Sequence, residues 1–408
     1  MSAPSHRLAL GFSAIGHSYS HLFMLLYPTV VLVLQKEWSM SYGELIQLAM
    51  IGQILFGVAA LPAGWLGDRW SSTGMMVLFF LGTGLSSVAT GFARNPFELT
   101  VGLAAIGLFA SIYHPVGIAW MVRNAVNRGK ALGVNGVFGS IGIGAAAIVA
   151  GGLSAWGGWR AAFIVPGALC ALTGLALLAC MRSGFVEKAQ SADAAPDQPV
   201  ERRHMIRAFW VLSITMFLTG MIQQVVQIVM PKLFEEQMGD LVNNSVMGVS
   251  FLVSVVFCFT ALAQLVGGHL ADRYPMRPLY VICAFAQAPF LFMIGHASGL
   301  PVMGGVIVAL VIQIGALPAE NSLLARYTPA NWRATAFGAK FVVALGASAL
   351  AYPLVGHVYD VAGGVSGLFP ILAVFTVVVG FFGFLLPWSA SPRSERAAQT
   401  VAAAGPAD

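Results

Sequence analysis

Apolar residues along the chain run in long blocks rather than alternating, and short polar turns interrupt the blocks at regular intervals. Twelve blocks stand near residues 8–34, 42–66, 74–92, 97–121, 131–153, 161–181, 207–230, 244–270, 279–296, 301–325, 335–358 and 367–388. A hydrocarbon core about 30 Å thick takes roughly 20 helical residues to cross, so each block is close to the length a span needs. Helices are the expected form, because a segment in lipid must satisfy its backbone hydrogen bonds within itself. The alternating stretches of an outer-membrane barrel do not occur. The pattern therefore predicts an all-α membrane protein with twelve transmembrane helices. The first apolar run continues to about Leu34 with polar residues at its centre, which fits an uncleaved first span rather than a signal peptide.

Composition sharpens this picture. Hydrophobic residues make up 58% of the 408 positions and charged residues only 9%, with a mean hydropathy of +0.81. A soluble domain carries about 25% charge. The net charge of +5 comes from bases spread over short loops, with no aromatic-interleaved basic patch, so no nucleic-acid partner is expected. With both termini placed in the cytoplasm, sixteen Lys and Arg residues fall in inner regions, and only Lys36, Arg94, Arg160 and Lys232 fall in outer loops. That asymmetry orients the chain as a multi-pass cytoplasmic (inner) membrane protein. Cys170, Cys180, Cys258 and Cys283 lie in or beside apolar blocks without metal-ligand spacing, and read as small buried hydrophobes.

The longest polar connection, residues 182–206, is rich in Ala, Asp, Pro and Gln and reads as a flexible cytoplasmic linker. It divides the chain into an N-terminal six-helix bundle, 1–181, and a C-terminal one, 207–388, followed by a disordered cytoplasmic tail, 389–408. The halves repeat. GWLGDRW at 64–70 and GGHLADRYPMR at 267–277 place Asp68 and Asp272 204 residues apart, half the chain length. At nearly the same offset Pro28 maps to Pro231, Pro115 to Pro318 and Gly133 to Gly338. Two pseudo-symmetric bundles with a site between them at mid-depth are one architecture expected of secondary transporters.

The paired turns resemble the loop between spans two and three, and between eight and nine, of the major facilitator superfamily, whose pattern is roughly G-x-L-a-D-R-x-G-R-K. Gly64, Leu66, Asp68 and Arg69 match in the first copy, where Ser71, Ser72 and Thr73 stand in place of a glycine and the distal bases. Gly268, Leu270, Ala271, Asp272, Arg273 and Arg277 match in the second. With span count, linker and repeat, the resemblance covers about 380 residues. It implies the major facilitator fold, with Gly64, Asp68, Arg69, Gly268, Asp272, Arg273 and Arg277 as a conformational latch. Such an Asp can cap a helix start or pair with a base, worth about 0.3–2 kcal/mol per contact. Within the superfamily, GHSYSHLFMLLYP and SIYHPVGIA resemble the fosmidomycin-resistance subgroup, although Ser20-His21 stands where that group has Asn-Asp.

Polar residues inside the spans locate candidate chemistry, because a charge at a helix centre costs about 2.5–3.5 kcal/mol on insertion scales. Glu320 is the one clear intramembrane acid, and Lys340 lies at similar depth in the next span. A structural ion pair and a pair that exchanges partners with substrate or proton both account for them. His17 and His21 share a helix face, and His21 maps onto Gln224 within the group Gln223, Gln224 and Gln227. His114 precedes the helix-bending Pro115, and Asn135 maps onto Lys340. The substrate-binding candidates are accordingly His17, His21, His114, Asn135, Gln223, Gln224, Gln227 and Lys340, with Glu320 and His21 as proton-coupling candidates. No metal or cofactor site is expected. The glycines of GVNGVFGSIGIGAAA serve close helix packing rather than a dinucleotide. No catalytic motif occurs, so an enzyme is not expected.

The expected function is a monomeric secondary transporter that moves a small organic solute, anionic in preference, by proton-coupled alternating access, with sodium as an alternative coupling ion. An anion that took Lys340 would strip Glu320 of its counter-charge and lead it to bind a proton, giving symport. Proton-driven efflux of a polar antibiotic is the nearest alternative, and a membrane sensor or scaffold the alternative of another class.

Overall fold

The computed structural model describes residues 3–125, 128–185, 202–328 and 333–387. Most of the linker and the tail after Pro387 lie outside the described residues, as do the side chains of Asp272 and Lys340. The structure is all-α, with the major facilitator fold. The helices are α1 (Ala3–Trp38), α2 (Tyr42–Arg69), α3 (Ser72–Thr90), α4 (Pro96–Asn124), α5 (Arg128–Gly157) and α6 (Trp159–Arg182). They continue with α7 (Arg202–Met238), α8 (Val246–Arg273), α9 (Met276–Ile294), α10 (Leu300–Arg326), α11 (Arg333–Ala362) and α12 (Leu368–Phe384). Ten of the described helices are long and apolar enough to cross a membrane, and α12 is a shorter apolar helix.

Helix starts follow local chemistry. Ser41 and Glu44 form a reciprocal capping box at the start of α2, with Ser41 Oγ accepting from the Glu44 amide at 3.0 Å. Ser71 caps α3 by accepting from the Gly74 amide at 3.0 Å. Asn95 accepts from the Glu98 amide at 2.9 Å, with Pro96 at the first position of α4. Within α4 the hydrogen-bond ladder slips into a π turn at Tyr113–Gly117, around Pro115. The freed carbonyl expected at this proline is thus absorbed by a wider turn, a device common at functional sites.

Packing inside the helices depends on small residues, as lipid supplies no hydrophobic drive between them. A Cβ on Gly107 would lie 2.0 Å from the Gly52 carbonyl oxygen, so α2 and α4 touch backbone to backbone. Gly267 approaches Gly315 equally closely, joining α8 and α10. A Cβ on Gly142 would meet the Ser18 carbonyl at 2.3 Å, which bears out the packing role read for the α5 glycines. Large apolar side chains such as Leu61, Leu85, Leu172 and Leu262 are exposed, as lipid-facing residues are.

The chain packs as two compact units. Among the described residues, the first joins those up to 185 with 224–258 and 345–365; the second joins 202–223, those of 259–344, and 366–387. In the first unit, α1 lies along α5 and α3 along α6, over a core that includes Phe79, Phe80, Trp120 and Phe163. In the second, α9 packs on α10 and α12 around Leu212, Met216, Tyr280, Leu323 and Val379.

Candidate functional site

In the first unit, three of the histidines predicted from sequence converge. His17 and His21 project from one face of α1, and His114 from the π turn of α4. Their ring centroids lie 4.9 Å (His17–His21), 5.6 Å (His17–His114) and 5.4 Å (His21–His114) apart. Tyr113 stacks on His17 at 5.0 Å, and Phe56 meets His114 edge to face at 5.8 Å. The fit is tight: a Cβ on Gly139 would come within 2.6 Å of the His17 ring, and one on Gly117 within 2.6 Å of the Tyr113 ring.

Hydrogen bonding sets the tautomers. His17 Nδ1 lies 2.7 Å from the backbone oxygen of Asn135, which can only accept, so Nδ1 carries the hydrogen. In the neutral ring His17 Nε2 is then an acceptor, and His21 Nε2, 3.1 Å away, is its donor. The line therefore runs from His21 through His17 to the α5 backbone, leaving His21 Nδ1 as the ring's lone-pair nitrogen. The Tyr113 hydroxyl, 2.9 Å from the Ser13 carbonyl and 2.8 Å from Asn135 Oδ1, fixes the base of the cluster. Among the described residues no group of three His, Cys, Asp or Glu side chains is placed to hold a metal ion.

Elsewhere in this unit, polar contacts join the first helices to α7 and α11. Gln53 Nε2 donates to Ser348 Oγ at 2.8 Å, both side chains buried. The Tyr42 hydroxyl donates to the Ile228 carbonyl at 3.0 Å. Lys232 Nζ donates to Gln35 Oε1 at 3.1 Å and pairs with Glu235 at 2.8 Å, its side chain only 12% exposed. Gln224 and Gln227 are buried, and the Gln224 side chain lies within hydrogen-bonding reach of the Tyr352 hydroxyl.

The second unit surrounds Glu320, which is buried in α10. Its Oε2 accepts from Tyr280 at 3.2 Å and from Thr219 Oγ1 at 3.4 Å. A cavity of about 20 Å³ beside it is lined by Thr219, Tyr280, Gln287, Gln313 and Glu320, room for one water. Gln287 donates to Gln313 Oε1 at 3.2 Å, and Gln313 donates to the Thr219 carbonyl at 2.9 Å. Gln223 belongs to this unit and is half-buried.

At the first repeated turn, Asp68 lies 3.4 Å from Arg123 at the end of α4, and Arg123 also donates to Ser72 Oγ at 3.0 Å. The helix-capping role expected as an option for Asp68 belongs instead to Ser71, because Asp68 sits in the last turn of α2 and not ahead of α3. Arg69 stacks over Trp65. A Cβ on Gly64 would come within 3.2 Å of Pro115, while Gly268 has open space around it. In the second copy Arg273 is exposed, and Arg277 donates to the Phe384 carbonyl.

The structure thus gathers His17, His21, His114 and Asn135, and separately buries Glu320. Side-chain contacts of Lys340 and Asp272 lie outside what is described. Sequence reasoning did not place Ser13, Tyr113 and Phe56 in the histidine cluster, nor Thr219 and Tyr280 around Glu320. Tyr113 carried a signal, since it adjoins His114 in a π-prone Pro-containing turn; contacts across helices such as Tyr280–Glu320 carry none.

Ten apolar helices of membrane-spanning length among the described residues, together with buried polar clusters, are features of a membrane transport protein. The Major Facilitator Superfamily model matches residues 12–259 and again 212–407, and the chain belongs to that superfamily. Among relatives, a gallate transporter of Pseudomonas putida is 27% identical over 33% of this chain, although the match spans only 31% of that protein. A probable 4-methylmuconolactone transporter of Cupriavidus pinatubonensis is 25% identical, covering 78% of this chain and 74% of that one. The 4-hydroxybenzoate transporter PcaK of Pseudomonas putida is 24% identical, covering 77% of each. A bacterial homolog of the human lysosomal transporter Spinster, in an inward-facing and unoccupied conformation, superposes with a TM-score of 0.79 at 14% identity, over 95% of this chain and 98% of that one.

Proposed function

We propose that this chain is a proton-coupled carrier of small organic anions, favouring ring carboxylates, across the cytoplasmic membrane by alternating access of its two halves. The observation that carries the reading is the histidine cluster: three imidazoles walled by the rings of Tyr113 and Phe56, with the His17 and His21 tautomers set from the α5 backbone. Such a cluster can hydrogen-bond a carboxylate while its aromatic walls face an unsaturated ring. Relatives named for gallate, 4-hydroxybenzoate and 4-methylmuconolactone support the same reading.

Coupling is assigned to Glu320 and His21. A substrate anion drawn to Lys340 would leave Glu320 without counter-charge beside its water-sized cavity, and proton uptake restores neutrality. Asp68, Arg69 and Arg123 steady one conformation at the first repeated turn, while Gly268, Asp272, Arg273 and Arg277 form the corresponding turn of the second half. The charge asymmetry supports a cytoplasmic position for both termini. A duplicated six-helix unit underlies the two halves, a reading supported by the 204-residue spacing of Asp68 and Asp272.

The test is uptake of labelled 4-hydroxybenzoate into proteoliposomes. Wild-type protein should accumulate it under an inwardly directed proton gradient, His21→Gln and Glu320→Gln should not, and indifference to the gradient would refute coupling. A second reading, antibiotic efflux of the fosmidomycin-resistance type, has support in a 29% identical stretch shared with the puromycin resistance protein pur8 of Streptomyces alboniger, which covers 33% of that protein. Raised drug tolerance on expression, with no carboxylate flux in vesicles, would favour it.

A further inference from the structure

On the surface of the second unit, α9 and α12 leave a groove of about 670 Å³, walled by Val281, Ile282, Phe285, Ala286 and Phe384. Two glycines on α12 form it. A Cβ on Gly380 would meet the Phe285 ring at 2.7 Å, and one on Gly383 would meet Val281 at 2.7 Å, so α9 settles deep against this stripe. The larger side chains then stand out along the rims. Phe285 touches both Phe381 and Phe384, with centroids 5.4 and 6.0 Å apart, and Ile282 and Phe381 are more than three-fifths exposed.

One end of this apolar channel is basic. Arg277 lines it and donates to the Phe384 carbonyl, and Arg207 of α7 donates to the adjoining Leu385 carbonyl. Both guanidinium groups are therefore held where α12 ends. The start of α9 lies at the same end, with no side-chain cap at Pro275, so its dipole adds to the positive field. Among the described residues, no acid lines the groove. An apolar trough on a membrane-spanning unit, with Arg277 lining one end and Arg207 tethered to the carbonyl next to Phe384, matches a molecule with an anionic head and a hydrocarbon tail.

We infer that the α9–α12 groove binds one anionic phospholipid, with its phosphate at Arg277 and Arg207 and an acyl chain laid along Val281, Ile282 and Phe285. Basic pockets between membrane helices take anionic headgroups in this manner. The position of the two arginines assigns the lipid to the leaflet that the charge asymmetry makes cytoplasmic; only that assignment rests on the proposed orientation. Bound there, the lipid would brace the end of α12 against α9 in the second unit.

Native mass spectrometry of the full chain in detergent, titrated with phosphatidylglycerol and with phosphatidylcholine of the same acyl chains, tests this. The first phosphatidylglycerol should bind at least fivefold more tightly than phosphatidylcholine. The double variant Arg207→Gln/Arg277→Gln should lose that preference and bind the two lipids about equally. Because those arginines also hold the end of α12, Ala286→Trp provides a second arm: it fills the trough, keeps both charges, and should weaken the first binding event for both lipids. Equal binding of the two lipids by the wild type, or unchanged phosphatidylglycerol affinity in Ala286→Trp, would overturn the inference.

Discussion

Replacing Gln35 by leucine isolates one contact that joins α1 to α7 within the first unit. Gln35 Oε1 accepts from Lys232 Nζ at 3.1 Å, in a setting where the lysine side chain is only 12% exposed, so bulk water screens it little. The substitution leaves the 2.8 Å Lys232–Glu235 pair intact, and no buried charge is stranded. A hydrogen bond to a charged group contributes about 1.5–3 kcal/mol. Leucine recovers some apolar contact, so a loss near 1.5 kcal/mol is expected, about a tenfold shift in the balance between closed and open forms of this end. The Tyr42–Ile228 and Gln53–Ser348 bonds remain and limit the change to that order. Hydrogen–deuterium exchange reads it directly. Amides in residues 30–48 and 224–238 should exchange about tenfold faster in Gln35→Leu, with those around Glu320 unchanged. Wild-type exchange in both stretches would refute the idea that this contact holds the end shut.

Three further substitutions probe other parts of the fold. Gly107→Ala places a Cβ 2.0 Å from the Gly52 carbonyl, so α2 and α4 must separate; thermal unfolding should begin several degrees lower, and an unchanged melting temperature would contradict the close approach. Tyr113→Phe removes a buried hydroxyl placed against Ser13 and Asn135, which should cost about 1–3 kcal/mol by stranding its partners and should loosen His17, visible as broadened imidazole signals in NMR of labelled protein. Arg123→Gln should change stability by less than about 1 kcal/mol, because Asp68 is 72% exposed, yet should alter the rate of substrate exchange across vesicles; a rate equal to wild type would remove Arg123 from the latch.

Much of this arrangement was legible in the chain. Hydrophobic block length placed the helices, and α4 at Pro96–Asn124 and α10 at Leu300–Arg326 begin within a residue of the predicted 97–121 and 301–325. Other helices run past their apolar blocks, as α1 does to Ala3–Trp38, because capping and packing extend a helix beyond the lipid-soluble stretch. The histidines were legible because polar residues at helical spacing stand out against an apolar background. Their shared hydrogen bond and its anchor on the Asn135 backbone were not, since a backbone carbonyl leaves no mark in sequence. The same holds for Ser72, which looked like a mere replacement for a lost base and in fact accepts from Arg123. Pattern predicts which residues share a face; which faces meet is decided by glycine contacts such as Gly142 on Ser18.

We propose that organic anion and proton cross together. Proteoliposomes carrying an internal pH dye, held at equal pH on both sides and clamped at zero potential, measure this when 4-hydroxybenzoate is added outside. Internal acidification should track substrate concentration and be absent in Glu320→Gln. Entry of labelled substrate with no change in internal pH would contradict it.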